Sequence, residues 1–589
     1  MAPGVAEGAV STNLDPTDFH FTTRERFRPF DLLAENFVRL DDDFNSNTIS
    51  NYTILRPGPP SEDDGFVQVG EGQLRFAGQD DYYTILKSDT GQQAPFATVI
   101  IDVASLTEGA VYAGLYENGN NYVHAYYDKN TNTVGLEAEV NGVLYELGSM
   151  QPEQSDFGTS FRFAFVANEN RVIALVGDRF MDIGNFRPLI ERDVFFETGN
   201  GEPGTLDLRD TTVLATYKNG FGARSETGSN IVFERARAGF FGEAGVRDPH
   251  VVQYADGTPY IKNNKLYFTL TNAGLGFFEK AHWAVWTMDL SDYSKIEQIG
   301  NIFWHNAGNP DRVLGHHAGQ IVRDGANDRW IVVVSSWGDF GPQGGDQGNF
   351  GTITYPDEAP TFRPPVDILY DELPGSVNLL RGVHILTGKK HPVNAVPFPT
   401  EGKWDPGLTR INGRWYLAYV IALDLFSDFQ PALARSPVGA DHTTLNFVGA
   451  DWEKRATEGP IIQKLGGEWR LFASCGDDEP VQFQNRYPIY FLRAANPEVD
   501  EENRDLAEAG TGQRLAFDGY LDAPHPSNIP HPMIVPIPIR RDGRRRTKYI
   551  MITFNGDQFF ERVLGYGTHG DFFVMQADQA VAGWEFPLR

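Results

Sequence analysis

The chain has 589 residues and a formal net charge of -29 at pH 7, with 22% charged and 41% hydrophobic residues. This length exceeds what one ordinary hydrophobic core serves, so it predicts two domains, and the composition is that of a folded globular protein. The negative charge repels phosphate backbones and anionic membranes, so we expect neither nucleic acid nor a membrane as a partner. A neutral partner would not be affected by it.

The cysteine content and the N-terminal region bear on the cellular compartment. Cys475 is the only cysteine, so neither an intrachain disulfide nor a cysteine-based zinc cluster can form. Residues 1–20 lack a basic start followed by an apolar run, and no stretch approaches the ~20 apolar residues that span a bilayer. We expect a secreted or extracytoplasmic protein whose leader has been removed, with a cytoplasmic location as the alternative.

The first 238 residues predict an N-terminal arm followed by a β-sandwich. Residues 1–35 show little pattern beyond a short helical stretch, and we expect them to form an arm. Over residues 36–238, short runs that alternate apolar and polar residues, such as Phe161–Phe165, are separated by turn signals. Asn141-Gly142 predicts a type I′ hairpin. This density of antiparallel strands is typical of a sandwich, here of the concanavalin or laminin-G jelly-roll type.

Residues 239–589 contain a strand pattern that occurs five times. Each repeat has an apolar run, a tight turn and a further apolar strand rich in aromatic residues, at intervals of roughly 55 to 85 residues. The five strands are Leu266–Leu270, Arg329–Val334, Arg414–Tyr419, Glu468–Ala473 and Lys548–Thr553. The recurrence predicts a five-bladed β-propeller. The predicted fold class is therefore all-β, with the sandwich followed by the propeller.

Three acidic residues lie at similar positions, each shortly before one of these strands. Asp248 lies in Arg-Asp-Pro-His, Asp405 in Trp-Asp-Pro-Gly and Glu458 in Glu-Gly-Pro. A repeated fold can direct all three carboxyl groups into one pocket. Such a set suits glycoside hydrolysis, in which one carboxylic acid protonates the leaving oxygen and one carboxylate activates water. Each motif alone is also a good turn former, which is the alternative interpretation.

The three motifs and the strands that follow them resemble the five-bladed furanosidases and xylosidases of glycoside hydrolase family 43 and its relatives. The resemblance covers about residues 240 to 589. It implies that Asp248 is the general base, that Asp405 orients the acid and adjusts its pKa, and that Glu458 is the general acid. It implies no required cofactor, although some members hold a calcium ion on the propeller axis. The motif at Asp248 is also similar to that of the fructan-active levansucrase propellers, whose other motifs are missing here.

Four further residues are expected to bind substrate. Trp337 and Trp404 flank repeat strands beside the carboxylates, where an aromatic ring can pack against the C–H face of a sugar. Packing between blades is the alternative for Trp404. His317 and His531 lie at the starts of the second and fifth repeats, where a histidine can hold a sugar hydroxyl or a central ion. The sequence has no dense Asp/Asn calcium loop, so a metal stays an open question.

These patterns predict a glycoside hydrolase that cleaves furanosidic or related linkages of the arabinan, D-arabinan, galactofuranan or arabinogalactan class by inverting acid/base catalysis. Its expected partner is a polysaccharide or oligosaccharide. Two alternatives stay open: a retaining fructan-type hydrolase or transferase, and a non-catalytic carbohydrate-binding protein. Geometry separates the enzymes, because inverting carboxyl pairs are roughly 6.5–9.5 Å apart and retaining pairs roughly 5–5.5 Å apart.

Overall fold

A computed structural model of the chain consists almost entirely of β-strands. It describes residues 21–27, 31–55, 66–77, 82–153, 157–158, 160–177, 186–194, 206–242, 244–274, 280–339, 366–393, 400–424, 428–465, 468–474, 486–491, 513–515, 517–522, 531–541, 544–554 and 570–577. Cys475 lies outside these ranges. Within them, no helix is long and apolar enough to cross a membrane.

Helical structure in the described part of the chain is limited to single turns. The α-helix is Thr211–Thr216, and Asp210 caps its N-terminus by accepting a hydrogen bond from the backbone N–H of Thr212. The 3₁₀ turns are Glu35–Phe37, Ile49–Asn51, Trp337–Asp339 and His442–Thr444. The chain therefore satisfies its backbone hydrogen bonds mainly through sheets.

Two sheets, A and B, lie in the N-terminal half. In hydrogen-bonding order, the strands of sheet A are Val143–Met150, Thr133–Val140, Asn121–Asp128, Ala110–Asn118, Lys218–Ser225, Tyr82–Ser88 and Tyr52–Leu55. Those of sheet B are Phe186–Asp193, Arg171–Gly177, Phe161–Asn168, Phe96–Leu106, Ile231–Gly239, Gln73–Ala77 and Phe66–Gly70. Val38–Asp42 pairs with Ile231–Gly239 at the edge of sheet B.

The inner faces of sheets A and B form one hydrophobic core. Phe163 and Phe165 of sheet B are fully buried in it together with Leu136 of sheet A. The alternating strand pattern therefore predicted the inward faces correctly. The predicted hairpin at Asn141-Gly142 is also confirmed, because both residues have positive φ, 53° and 78°, as a type I′ turn requires.

Five further sheets, C to G, follow in the chain. Sheet C contains Val246–Val251, Ile261–Lys262, Lys265–Asn272, His282–Asp289, Asp292–His305, Val313–Leu314 and Gly382–Leu386. Sheet D contains Gln253–Tyr254, His317–Asp324, Arg329–Ser335, Ile368–Pro374 and Lys389–Lys390. Sheet E contains Gly402–Ile411, Arg414–Asp424, Asp428–Arg435, Asn446–Ala450 and Gln513–Arg514. Sheet F contains Ile461–Leu465, Glu468–Phe472, Arg486–Phe491 and Phe517–Asp522. Sheet G contains Met533–Arg541, Arg544–Phe554, Phe572–Ala577 and Phe21–Phe27.

Each of the five repeats seen in the sequence corresponds to one of these sheets. The strand predicted in each repeat lies in the second long strand of its sheet, next to a leading strand. The leading strands are Val246–Val251, His317–Asp324, Gly402–Ile411, Ile461–Leu465 and Met533–Arg541. The repeat in the sequence is thus an antiparallel strand pair. It provides the two strands from which each sheet is extended.

Hydrogen bonds connect each of these sheets to the next, and they connect Gly570, which lies just before the strand Phe572–Ala577 of sheet G, to sheet C. They are Thr269 Oγ1 to Gly319 O (3.2 Å), Leu408 N to Gln320 Oε1 (2.6 Å), Thr409 Oγ1 to Ile462 O (3.5 Å), Gln463 Nε2 to Ile534 O (2.6 Å) and Val246 N to Gly570 O (3.0 Å). The contacts run from C through D, E, F and G and return to C. The five sheets therefore follow one another in a cycle.

The strand Phe21–Phe27 is early in the sequence but belongs to the last sheet. It pairs antiparallel with Phe572–Ala577 and forms the edge of sheet G. Arg26 and Asp571 make an ion pair beside this ladder, and the Asp571 side chain is fully buried. The segment predicted as an arm thus supplies a strand to the last sheet. The predicted domain boundaries at residues 35 and 238 concern independent folding and stay a prediction.

A second apolar core joins sheet B to sheet C. The outer face of sheet B contributes Ala164 and Val166, which are as buried as the residues on its inner face. Phe303 of sheet C stacks on Phe96 and on Phe240, with ring centroids 5.6 and 5.7 Å apart. Sheet B is therefore covered on both faces, and separating the two halves would expose this core to water.

We expect a fragment of residues 240–589 to be poorly soluble and less stable than the full chain. It would lack the strand Phe21–Phe27 and would expose the apolar core around Phe303. Soluble yield and thermal unfolding, compared with a fragment of residues 21–589, measure the effect. A soluble fragment of residues 240–589 with an unchanged unfolding temperature would contradict it.

Candidate active site

The leading strands of sheets C, D and E begin with the same backbone irregularity. Asp248, Ala318 and Asp405 have positive φ, 52°, 53° and 51°, and strand pairing shifts register at each of them. At the entrance to sheet F, Gly459 has φ 57°. Such β-bulges redirect side chains, and positive φ is uncommon for residues with a Cβ. Two of the three predicted carboxylates are therefore held in left-handed backbone conformations at equivalent bulges of two sheets.

The equivalent position in sheet F is a glycine for a visible reason. A Cβ on Gly459 would lie 2.3 Å from Cγ of His531, so no larger residue fits there. The acidic side chain of this repeat is instead one residue earlier, at Glu458. In sheets C and E that earlier position holds Arg247 and Trp404. In sheets C and E, each bulge thus brings two consecutive side chains into the carboxylate region.

Hydroxyl groups at the ends of second strands hold the bulges of sheets D and E. The backbone N–H of Ala318 donates to Oγ1 of Thr271 in sheet C, at 3.1 Å. The backbone N–H of Asp405 donates to Oγ of Ser335 in sheet D, at 2.9 Å. The Ser335 hydroxyl in turn donates to the carbonyl of Ala318, at 2.8 Å. The position of Asp405 therefore depends on the neighbouring sheet as well as on its own.

The backbone beside Glu458 is fixed from two sides. The N–H of Gly459 donates to Oδ2 of Asp405, at 3.0 Å. The Glu458 N–H donates to Oγ of Ser474, at 3.3 Å, and the Ser474 hydroxyl donates back to the Glu458 carbonyl, at 2.9 Å. Asp405 is therefore an orienting residue for the segment that carries Glu458.

The three predicted carboxyl groups are close to one another and largely buried. Asp248 and Asp405 are 8% and 3% exposed, while Glu458 is partly accessible. Nε2 of His531 lies 3.3 Å from Oδ2 of Asp405 and 3.6 Å from Oδ1 of Asp248. Nε of Arg247 lies 3.4 Å from Oδ2 of Asp248. The structure thus places five of the residues described so far in one cluster.

This environment raises the pKa of Glu458 to about 7. Burial is the main cause, and the negative charge of Asp248 adds to it. The indole N–H of Trp404, which donates to Oε1 of Glu458 at 3.1 Å, and the charge of Arg247 act in the opposite direction. Glu458 is therefore protonated up to about neutral pH, the form needed to donate a proton.

Asp405 and His531 also titrate away from their ordinary ranges. Burial, followed by the charges of Glu458 and Asp248, raises the pKa of Asp405, and the N–H of Gly459 opposes this shift. Because repulsion between two carboxylates is mutual, an ionised Asp405 favours the protonated form of Glu458. Burial lowers the pKa of His531, so its ring is neutral at pH 7. Burial and mutual repulsion therefore favour the protonated form of both Glu458 and Asp405.

The two predicted tryptophan platforms are packed rather than open. Trp404 is 1% exposed, and its ring lies 5.3 Å from Trp337 and 5.5 Å from Phe429. Trp337 is 7% exposed, and the His317 ring is parallel to it with a centroid separation of 6.4 Å. This burial agrees with the packing alternative for Trp404, and the stacking of a sugar on its ring stays a prediction. Its observed contact is the hydrogen bond to Glu458.

The remaining predicted binding residues have different surroundings. His531 lies inside the carboxylate cluster, between Asp248 and Asp405, whereas His317 lies behind it against Trp337. Arg247 was not predicted as a site residue, although its position next to Asp248 in the sequence was a signal. Ser335 gave no signal, because its role depends on the bulge of another sheet.

The carboxylate cluster also offers possible ligand atoms for a cation. Oxygen or nitrogen atoms of Asp405, Glu458 and His531 all lie within 4.8 Å of one another. Glu458 and Asp405 already accept the indole N–H of Trp404 and a backbone N–H, and Arg247 supplies a positive charge. These contacts use part of the acceptor capacity that a cation would need.

A second carboxylate–histidine group lies between sheets D and E. His442 Nε2 is 2.6 Å from Oε1 of Glu372. The Arg329 guanidinium donates to Glu372 and to Asp441, at 2.9 and 2.7 Å. Because this guanidinium supplies the positive charge that the carboxylates require, the group is an ion-pair network that joins two sheets.

No protein-family model and no curated protein sequence matches this chain. Among solved structures, the carbohydrate-binding module CBM66 from Bacillus subtilis aligns with 11% identity and TM-score 0.22, over 32% of this chain and 95% of its own. A galectin-like protein of unknown function from Bacillus subtilis aligns with 10% identity and TM-score 0.25, over 35% and 96%. The GH32 beta-fructofuranosidase BmSUC1 from Bombyx mori aligns with 15% identity and TM-score 0.32, over 56% and 60%. These low values do not assign an activity to the chain.

We expect Glu458→Gln to be more stable than the wild type above pH 7 and about equally stable near pH 4. A glutamate ionises near pH 4.3 when unfolded and at about 7 in the folded protein, so wild-type stability falls as pH rises between these values. Glutamine removes this loss, which is about 1–3 kcal/mol. Thermal unfolding at pH 4, 6 and 8 measures it, with the exposed residue substituted as Glu453→Gln for control. An equal effect at all three pH values would contradict the raised pKa.

Proposed function

We propose that this protein is a glycoside hydrolase that uses Asp248, Asp405 and Glu458. One observation carries the proposal: three carboxyl groups from three different sheets meet in a buried cluster, and one of them has a pKa of about 7. Glycosidic bonds are broken by a carboxylic acid and a carboxylate that act on opposite sides of the sugar. A carboxyl group that is still protonated near pH 7 can donate that proton to a leaving oxygen.

In the proposed mechanism, Glu458 donates its proton to the leaving oxygen. Asp248 removes a proton from water, which attacks the anomeric carbon on the opposite face, so that one bond forms as the other breaks. Asp405 accepts the Gly459 N–H and so orients the segment that carries Glu458, and repulsion between the two carboxyl groups disfavours the ionisation of both at once. Arg247, next to Asp248, offsets part of the negative charge of the cluster.

We further propose that sheets C to G are the blades of a five-bladed propeller. The cyclic order of contacts from C to G and back to C supports this arrangement. So do the equivalent bulges at Asp248, Ala318 and Asp405, because rotation about a central axis brings equivalent positions of successive blades together. The strand Phe21–Phe27 would complete the last blade.

The proposed substrate is a neutral polysaccharide or oligosaccharide with furanosidic linkages, and the proposed outcome is inversion. The resemblance of the three acid motifs to family 43 supports the furanosidic class, and the net charge of -29 disfavours an anionic glycan. Product chromatography after incubation with arabinan, arabinogalactan, galactan, xylan and levan tests the substrate class. Hydrolysis of levan alone would favour the fructan-type alternative.

We expect Glu458→Gln to bind substrate and to lose roughly 10²–10⁴-fold in rate, since the proton donor is gone. Activity should recover in part on an aryl glycoside whose leaving group needs no protonation. Steady-state kinetics on both substrates, with Glu453→Gln as the matched control, measure the difference. Near-normal turnover of polysaccharide by Glu458→Gln would exclude Glu458 as the general acid.

A single displacement by water also predicts the configuration of the product. Proton NMR of the first product, recorded before mutarotation, should show the anomer opposite to that of the substrate. The Asp248→Asn variant, with no base, should form neither anomer at an appreciable rate. If the first product keeps the configuration of the substrate, or if methanol is glycosylated, Asp248 is a nucleophile instead.

A further inference from the structure

We propose that Glu169, in sheet B, is a positioning residue for the active site. Its carboxylate supports two segments, residues 315–316 and the turn Trp337–Asp339, which together are called the wall. This wall packs against Trp404 and so keeps Trp404 in contact with Glu458. The inference rests on the proposed function for its catalytic meaning, while its structural content can be tested without substrate. It gives the N-terminal half a role in the chemistry of the other half.

Glu169 lies in the two-residue turn between Phe161–Asn168 and Arg171–Gly177 of sheet B, and this turn inserts into the other half of the chain. Its side chain is fully buried. Oε1 accepts the backbone N–H of Gly315 at 3.1 Å, and Oε2 lies 3.5 Å from Nζ of Lys280. The adjacent Asn168 amide donates to the carbonyl of Lys280, at 2.8 Å. The turn is therefore anchored next to the entrance of sheet D.

The backbone of Glu169 indicates that its side chain is needed there. Its φ is 53°, a conformation in which a Cβ is unfavourable and glycine would cost less. A strained residue that makes buried polar contacts is a reason to look for a role in a nearby site. Here the contacts of the carboxylate extend toward the candidate acid.

The first step of that path is the turn at Trp337–Asp339. The Gly338 N–H donates to Nδ1 of His316, at 3.2 Å, and His316 directly follows Gly315. A Cβ on Gly338 would lie 3.2 Å from Oε1 of Glu169, so the turn packs directly against the carboxylate. Glu169 therefore contacts both segments that form this wall, one through Gly315 and one through Gly338.

The second step leads from this turn to Glu458. Trp337 precedes Gly338, and its ring lies 5.3 Å from the ring of Trp404 at an angle of 57°. Trp404 donates its indole N–H to Glu458 Oε1 at 3.1 Å. If the support under Gly338 is removed, Trp337 can shift, and the contact between Trp404 and Glu458 lengthens.

The test uses Trp404 as a reporter of the ionisation of Glu458. The charged and titratable groups that surround this acid are Arg247 and Asp248 from sheet C, Asp405 from sheet E and His531 from sheet G. The wild type should show a change in tryptophan fluorescence with a midpoint near pH 7. It should be absent in Trp404→Phe and in Glu458→Gln, which separates it from the other nine tryptophans.

Glu169→Ala should move this midpoint upward by roughly 0.5–1 pH unit, because Glu458 loses a hydrogen bond that stabilises its ionised form. Glu169→Gln keeps an acceptor for Gly315 but loses the charge that faces Lys280, so its shift should be smaller and in the same direction. The matched control is Asp207→Asn. Asp207 also joins the two halves, by an ion pair to Arg312 at 3.0 Å, and it holds the same turn by accepting a hydrogen bond from Asn170 at 3.0 Å. Within the described residues the polar contacts of its side chain are with Asn170, Arg209 and Arg312 rather than with Gly315 or Gly338.

The control defines the result that would overturn the inference. If Glu169→Ala lowers the unfolding temperature as Asp207→Asn does but leaves the midpoint unchanged, Glu169 is a structural residue only. If Glu169→Ala does not fold, an unchanged midpoint in Glu169→Gln overturns the inference equally. The inference is also overturned if the tryptophan fluorescence of the wild type does not change near pH 7.

Activity provides the second measurement and separates the two proposals. Glu169→Ala should lower kcat roughly tenfold with little change in KM, and the basic limb of its pH profile should move upward with the fluorescence midpoint. Unchanged kcat and pH profile would contradict the catalytic part of the inference. Shifted fluorescence with no hydrolysis by the wild type on any of the five polysaccharides would instead contradict the proposed function and leave the contact from Glu169 to Trp404 in place.

Discussion

The candidate site depends on a backbone constraint, the left-handed residue at the start of successive leading strands. Asp248, Ala318 and Asp405 share this conformation, and Gly459 continues it at the entrance to sheet F. Each bulge interrupts strand pairing, so the freed backbone groups need other partners, such as the Thr271 and Ser335 hydroxyls. The carboxylates therefore cannot move independently of the sheets that carry them.

Burying several carboxyl groups in one place costs free energy, because they lose hydration and repel one another. Among the described residues, few cations lie in the cluster to offset this cost. Arg247 is the positive charge adjacent to Asp248, while His531 is neutral at pH 7 and separates two acids. Part of the balance is achieved by leaving a proton on Glu458, since a neutral acid costs less to bury than a second anion. The property proposed for catalysis thus follows from the electrostatics of the folded state.

The sequence predicted the features that depend on local pattern. Alternating strands, the Asn141-Gly142 hairpin and the five strand pairs follow from hydrophobic periodicity and turn chemistry, and the structure contains them. The contacts of Trp404 and Glu169 could not be predicted in this way, because they depend on which elements pack together. An exposed and a buried tryptophan look alike in a sequence, and a glutamate in a hairpin turn looks like a surface residue.

Even where the pattern was correct, it did not explain each residue. The repeat predicted an acid near the start of the fourth pair, but not why it precedes the bulge position by one residue. The structure supplies the reason, because the ring of His531 occupies the space that a side chain on Gly459 would need. The sequence therefore indicated which residue types to consider, and packing determined where each of them lies.

The pairing of Phe21–Phe27 with Phe572–Ala577 also constrains how the chain reaches its final state. Arg26 and Asp571, which meet beside this ladder, are 545 positions apart in the sequence. During synthesis, the N-terminal strand has no partner until residue 577 has left the ribosome, while sheets A and B can already form. Contacts of such long range form late and slow folding. The strand Phe21–Phe27 is therefore open to incorrect pairing for most of the time during which the protein is made.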